Sequence, residues 1–216
     1  MTTPLKHAII ACHPLERSLT LALAERYAEA VRGHGHEALV RDLYRLGFDP
    51  VLKQAEREGE PAADVVREWQ ALGEVDVFVL AYPIWFGAPP AMLKGYIDRV
   101  FGAGRRLGVM DEAPPESVLQ GKHLVSLTLS GHMRAWLDER GVLESLRNLF
   151  DRYLGQVFGL PETHHYHFEG IVPDLPPHDV ELHLARVDAA AAEVLTRIRH
   201  LWSKDPNAGE PPIVDR

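Results

Sequence analysis

Three short stretches of the sequence hold side chains able to recognise a small ligand. The first is CHPLERSLT, Cys12 to Thr20, where an apolar run gives way to a helical pattern starting near Ser18. Free backbone N–H groups at a helix start favour an anion, most often a phosphate. Ser18 and Thr20 add hydroxyl donors and Arg17 adds positive charge. The same residues also fit a plainer role, with Ser18 as the helix N-cap and His13 as a turn residue. The second stretch is YPIWFGAPP, Tyr82 to Pro90. It places Trp85 and Phe86 between prolines at the mouth of an apolar run. Two rings there can wall a flat, partly apolar cofactor, or they can fill a gap beneath the next helix. The third is LTLSG, Leu127 to Gly131, where Thr128 and Ser130 supply hydroxyls and Gly131 an approachable backbone.

The elements that must position these stretches read as follows. Lys6–Cys12 is a buried strand, and apolar spacing from Leu19 predicts a helix that stops at Gly33. His36–Leu43 is a second strand. Gly47 to about Ala63 is a polar, acidic excursion, and Asp64–Gly73 a helix. Val75–Ala81 is the strongest strand, followed by a helix over about Pro90–Phe101. Gly102–Gly121 is a long loop rich in Gly and Pro, and His123–Leu129 is a strand. Glu139–Val157 is helical, Thr163–Ile171 a strand and His178–Trp202 a final helix. Strands that alternate with helices imply an α/β fold, a five-stranded parallel sheet with helices on both faces. Continuous apolar strands support burial on both faces. Ligands of such sheets bind outside the carboxyl ends of the strands. All three stretches fall at those ends. One domain is expected over residues 1–202, with a polar tail over 203–216.

Composition removes several classes of function. The 216 residues carry 23 Lys and Arg against 31 Asp and Glu, a net charge of −8, with no basic block. Nucleic acid is therefore not an expected partner. The single cysteine, Cys12, excludes an intrachain disulfide and fits a reducing, cytoplasmic setting. No stretch approaches the roughly 20 apolar residues of a transmembrane helix. Gly102 to Gly108 imitates a dinucleotide fingerprint, but its spacing is one residue too long and it follows a helix. The run His164, His165, His167 raises the question of a metal. His165 and His167 share one strand face, yet no acid or thiol lies close to them in sequence, so no metal is expected.

HPLERSLT, YPIWFGAPPAMLKGYIDRVF and LTLSG together resemble the flavodoxin-like NAD(P)H:quinone oxidoreductases of the DT-diaphorase type. The resemblance extends from about Lys6 to Leu201, and PAMLKGYIDRVF is its most specific part. It implies a flavodoxin-like three-layer fold and a homodimer with a flavin at the carboxyl end of the sheet, FAD in preference to FMN. His13, Arg17, Ser18, Leu19 and Thr20 would hold the flavin phosphates. Pro83, Ile84, Trp85 and Phe86 would pack on the isoalloxazine and bond its edge through their backbone. Thr128, Leu129, Ser130 and Gly131 would flank its pyrimidine side. NAD(P)H would be the co-substrate, and a quinone or similar acceptor would take two electrons in the same site by a ping-pong route. The alternative is an ancillary flavoprotein of a potassium-efflux system. Two places depart from the family pattern. Arg105, Arg106 and Leu107 stand where an aromatic-rich segment is usual, and HMRAWLDERG lacks the Tyr/His pair of DT-diaphorase. The acceptor and the proton-handling residues are the properties those departures touch.

Overall fold

A computed structural model describes residues 3–103 and 119–204, with side chains to 201. Five strands form one sheet: β1 (Lys6–Ala11), β2 (Glu37–Asp42), β3 (Val77–Pro83), β4 (His123–Leu129) and β5 (Thr163–Phe168). Their order is β2-β1-β3-β4-β5, and every neighbouring pair is parallel. The chain leaves β1 toward β2 on one side and returns to β3 on the other. The strand order therefore reverses between β1 and β3, which opens a crevice at their carboxyl ends.

Two apolar layers sandwich the sheet. On one face Ile9, Val79, Val125 and Leu127 meet Leu23 and Tyr27 of α1 (Leu19–Gly33) and Val187 and Val194 of α8 (Pro177–Lys204). On the other face Ile10, Leu80 and Leu124 meet Val65 and Leu72 of α3 (Ala63–Leu72), and Leu93 and Tyr96 of α4 (Ala91–Tyr96). The polar excursion holds one short helix, α2 (Gln54–Arg57).

The expected helix over Pro90–Phe101 is α4 followed by a wider π-helical turn, Ile97–Phe101, closed by Gly102 N–H donating to Ile97 O at 3.0 Å. The helix expected over Glu139–Val157 divides further. It begins earlier as α5 (Arg134–Glu139), stops at Gly141, and resumes as α6 (Val142–Leu146). A π-helical stretch, Arg147–Tyr153, then leads to α7 (Leu154–Phe158). Gly141 takes φ +66°, a left-handed conformation that a helix cannot continue through. β5 ends three residues short of the expected Ile171, at the turn Glu169–Gly170, where Gly170 has φ +70°. Arg105–Leu107 and most of the Gly102–Gly121 loop lie outside the described residues, as does the tail beyond Lys204. Among the described residues no helix is long and apolar enough to cross a membrane.

Candidate active site

A cleft of about 230 Å³ opens at the carboxyl ends of β1, β3 and β4. The first loop contributes His13, Leu19 and Thr20. Ser18 is the N-cap of α1: its backbone is extended, and its Oγ accepts from Leu21 N–H at 3.3 Å. The amides of Leu19 and Thr20 come earlier in the helix and have no partner within it. They remain available to an anion. His13 Nδ1 accepts from Leu15 N–H at 3.2 Å, which leaves the proton of the neutral ring on Nε2, a donor. Burial, and then the nearby Arg45 guanidinium, hold His13 below the ordinary imidazole value. Arg45 braces this loop by donating to Pro14 O at 3.0 Å. Arg17 is exposed and outside the cleft. This end of the cleft is thus built from a helix start and a histidine, without a charged side chain at its wall.

The second loop contributes Pro83, Ile84 and Trp85. It is a tight hairpin. Trp85 N–H donates to Ala88 O at 2.9 Å and Ala88 N–H to Trp85 O at 3.0 Å. Phe86 and Gly87 at its tip have φ +51° and +80°. Two consecutive positive φ values define the type I′ class of turn, and a bulky residue there is strained. Phe86 is the one non-Gly described residue with such a φ, and it is fully exposed. Ile84 N–H donates to Leu129 O at 2.8 Å. This changes the sequence expectation for the loop. Pro83 has no N–H, and those of Ile84 and Trp85 are already used. The amides not spent in the hairpin are those of Phe86 and Gly87. Trp85 offers a ring face, 38% exposed, with His13 packed edge-on against it at 6.2 Å.

The third loop contributes Leu129, Ser130 and Gly131, and Ile171 joins them from beyond β5. Ser130 N–H donates to Phe168 O, and Ile171 N–H to Ser130 O, both at 2.9 Å. A Cβ at Gly131 would stand 3.2 Å from Ile171 O, so a side chain there would crowd the loop. Thr128 faces away from the cleft, into a buried polar chain. Asp151 Oδ2 meets His165 Nδ1 at 2.6 Å, and His165 Nε2 meets Thr128 Oγ1 at 2.9 Å. Thr128 Oγ1 meets His167 Nδ1 at 3.0 Å, and His167 Nε2 meets Ser130 Oγ at 3.2 Å. Ser130 Oγ also lies 2.8 Å from His132 O, an alternative acceptor for its proton, and Ser126 Oγ donates to Asp151 Oδ1 at 2.8 Å.

With the Thr128 proton kept within the chain rather than turned to Tyr166 O at 3.4 Å, two hydrogen arrangements of Asp151–His165–Thr128–His167–Ser130 differ by one proton. With both histidines neutral, each donor points toward Asp151 and Ser130 O–H points to His167. With one added proton every bond reverses between Ser130 and His165. His165 then donates to both Asp151 and Thr128, and Ser130 O–H turns to His132 O. A proton entering at Ser130 Oγ can therefore come to rest beside the Asp151 carboxylate. Burial, and then the neighbouring His165, hold His167 at about 4, so this link is neutral near pH 7. Asp151 lies in the π-helical stretch 14 residues before His165, too far for sequence spacing to pair them. The period-2 pattern of β5 was the available signal: it sends His165 and His167 to one face and His164 to the other.

The sequence profile of the flavodoxin-like fold family matches residues 5–195. Escherichia coli YcaK, named an uncharacterized NAD(P)H oxidoreductase, is 31% identical over 160 residues, which cover 68% of this chain and 76% of YcaK. An FMN-dependent NADH:quinone oxidoreductase of Bordetella petrii is 29% identical over 131 residues, 54% of this chain and 62% of that one. The structure of an NAD(P)H:quinone oxidoreductase from Methanothermobacter marburgensis superposes with a TM-score of 0.74 at 26% identity, covering 89% of this chain and 98% of that one. Against other curated relatives the matched region is shorter, spanning 52% and 42% of their lengths. With a profile that matches nearly the whole chain and this fold behind it, the chain belongs to the flavodoxin-like NAD(P)H:quinone oxidoreductase family.

Proposed function

We propose that the cleft binds a flavin and that the protein is a flavin-dependent NAD(P)H oxidoreductase acting on quinone-type acceptors. The observation that supports this most directly is the pairing of an anion-ready helix start with an aromatic wall across one cleft at the sheet's switch point. The open amides of Leu19 and Thr20 and the Nε2–H of His13 suit a phosphate. Trp85 suits one face of a planar ring, and the crowding at Gly131 matches a ring edge lying close to backbone. Bound flavin would supply the two-electron chemistry that links NAD(P)H oxidation to reduction of the acceptor by a ping-pong route. Ser130 Oγ would give or take the accompanying proton and pass it along the buried chain to His165. The preference for FAD gives way to FMN, since the Bordetella petrii relative is named for FMN. The relatives' oxidoreductase names favour catalysis over the potassium-efflux reading. A homodimer fits the exposed apolar residues Phe86, Leu149 and Tyr153, the single cysteine fits a cytoplasmic setting, and sedimentation of the flavin-loaded protein tests the dimer.

Ser18→Asp tests the phosphate site. Asp caps a helix as well as Ser, so α1 stays capped while a like charge faces the phosphate. Flavin affinity should fall by about 10-fold or more, equivalent to about 1.4 kcal/mol, with the thermal midpoint of the flavin-free protein unchanged. Equal flavin affinity in titrations of the two proteins would remove the phosphate from this loop.

His167→Gln tests the proton chain. Gln can hydrogen-bond to Thr128 or Ser130, but it cannot take a proton at one atom and release one at another. Turnover with NAD(P)H and a quinone should fall by about 10²-fold, the lower end for lost general acid–base help. The solvent deuterium isotope effect and the pH profile of the slow half-reaction should change with it. A structural role alone would lower stability and leave the isotope effect where it was.

A further inference from the structure

A second group of chemistry-bearing residues sits at the amino end of the sheet, away from the cleft. His123 opens β4, Glu162 immediately precedes β5, and His164 is the second residue of β5. Val125 pairs with His164 in the parallel register. Side chains alternate along a strand, so His123, Val125 and His164 share a face. That face is covered by α8, whose Arg197 lies 3.4 Å from Glu162 Oε1. His123 is 4% exposed and His164 is 7% exposed. His123 Nδ1, Glu162 Oε2 and His164 Nε2 are each buried with no hydrogen-bond partner. Glu162 Oε2 and His164 Nε2 approach to 3.5 Å without hydrogen-bond geometry. One ligand atom from each of the three residues falls within 4.8 Å of the others. Buried polar atoms are nearly always satisfied, so three orphans converging on one point call for a shared partner.

We propose that His123, Glu162 and His164 bind a divalent metal ion of the zinc class. Two imidazoles and one carboxylate form a borderline donor set that suits zinc and its neighbours, whereas calcium and magnesium favour sites built from oxygen. Bonds of about 2.0–2.2 Å in a tetrahedron place ligand atoms about 3.3–3.5 Å apart. The Glu162–His164 pair already has that spacing, and closing His123 onto it takes a shift of about an ångström or slightly more. Water can fill the fourth position, and the half-buried Glu162 leaves a path for it. The local charge is favourable: Asp76, Glu162 and Glu193 outnumber Arg197. Burial keeps both imidazoles below their ordinary value and so available as neutral ligands. The ion would clip the start of β4 to the start of β5. It lies far from the cleft in the fold, so the assignment does not depend on what the cleft binds.

The test uses the full-length protein as purified, dialysed against a chelator and then titrated with zinc chloride or cobalt chloride. We expect one zinc retained per chain and a visible cobalt spectrum of the tetrahedral type. His123→Ala and His164→Ala should each weaken zinc binding by more than the roughly 10–100-fold typical of supporting groups around a metal. Glu162→Gln should weaken it by at least the roughly 10-fold typical of losing a group that only supports a ligand. Flavin content should stay level throughout and reports that each variant has folded. If either alanine variant fails to fold, His164→Gln keeps the volume and a polar atom in place while removing the imidazole. Failure to bind zinc in the titration overturns the proposal. So does zinc binding that is indifferent to His164→Gln and Glu162→Gln, since the ion would then sit on exposed histidines such as His34 or His178.

Discussion

Arg99→Met should unfold the protein at a markedly lower urea concentration than the parent, a loss of about 3–5 kcal/mol. Arg99 is 1% exposed and lies in the π-helical turn after α4. Its Nε donates to both oxygens of Glu56, at 2.9 and 3.1 Å. Its two terminal nitrogens grip Asp64 at 2.7 and 2.8 Å, and one of them also donates to Asp49 O. The guanidinium stacks 5.3 Å from the Phe48 ring. One side chain thus fastens the whole excursion between β2 and α3. Met fills similar volume, so the loss is not one of packing. It comes from Glu56, 4% exposed, left with a buried charge whose other partner is Lys53 N–H. The double variant Arg99→Met, Glu56→Gln should recover much of the loss. A double-mutant cycle in urea measures this, and additive effects would mean the pair is not coupled.

This explains why PAMLKGYIDRVF is so recognisable in the sequence. The stretch looks like ligand chemistry because it follows the Trp85 loop, but its polar residues serve the scaffold. At Gly95 a Cβ would lie 2.2 Å from Pro50 O, so glycine is required for the excursion to cross α4. Arg99 closes the same crossing from one turn further on. The strands and the parallel order were legible because they depend on local apolar runs, and β4 falls at His123–Leu129 as expected. Helix breaks were harder to read: Gly141 is a stop only because its backbone turns left-handed, and the π-helical turns leave no periodic mark. In the site, the cleft gathers His13, Leu19, Thr20, Pro83, Ile84, Trp85, Leu129, Ser130 and Gly131 as the strand-end rule foresaw. What composition and spacing could not convey was side-chain direction and distant pairing. Phe86 points to solvent, Thr128 points inward, and Asp151 and Ile171 come from segments separate in sequence. Glu162 stands two residues before His164, an acid that the expectation of no nearby ligand passed over; its significance depends on His123 lying one strand away.

Stability should fall steeply as the pH drops below 6.5. His7 is fully buried, its Nε2 has no partner, and burial, followed by the charges of His36 and His123, holds it at about 3. Tyr27 O–H meets its Nδ1 at 3.3 Å and is itself kept neutral by burial. His167 is held at about 4, among His165, Glu169, Arg134 and Arg186. In the unfolded chain both rings titrate near 6.5. Between about pH 4 and 6.5 the unfolded state therefore binds more protons than the folded state. The stabilisation is complete above that window and is lost as the pH falls through it. Near pH 5 the two groups together take up about two protons on unfolding, a slope of about 2.7 kcal/mol per pH unit. Urea unfolding from pH 7 to 4.5 in chelator-treated buffer measures the slope. His7→Leu should lower it by about one proton, roughly 1.4 kcal/mol per pH unit, and leave flavin affinity unchanged, because His7 lies at the amino end of β1, away from the cleft. His167→Gln should remove a similar share and impair turnover as well. A slope that neither substitution reduces would mean that these rings are not the groups that resist protonation.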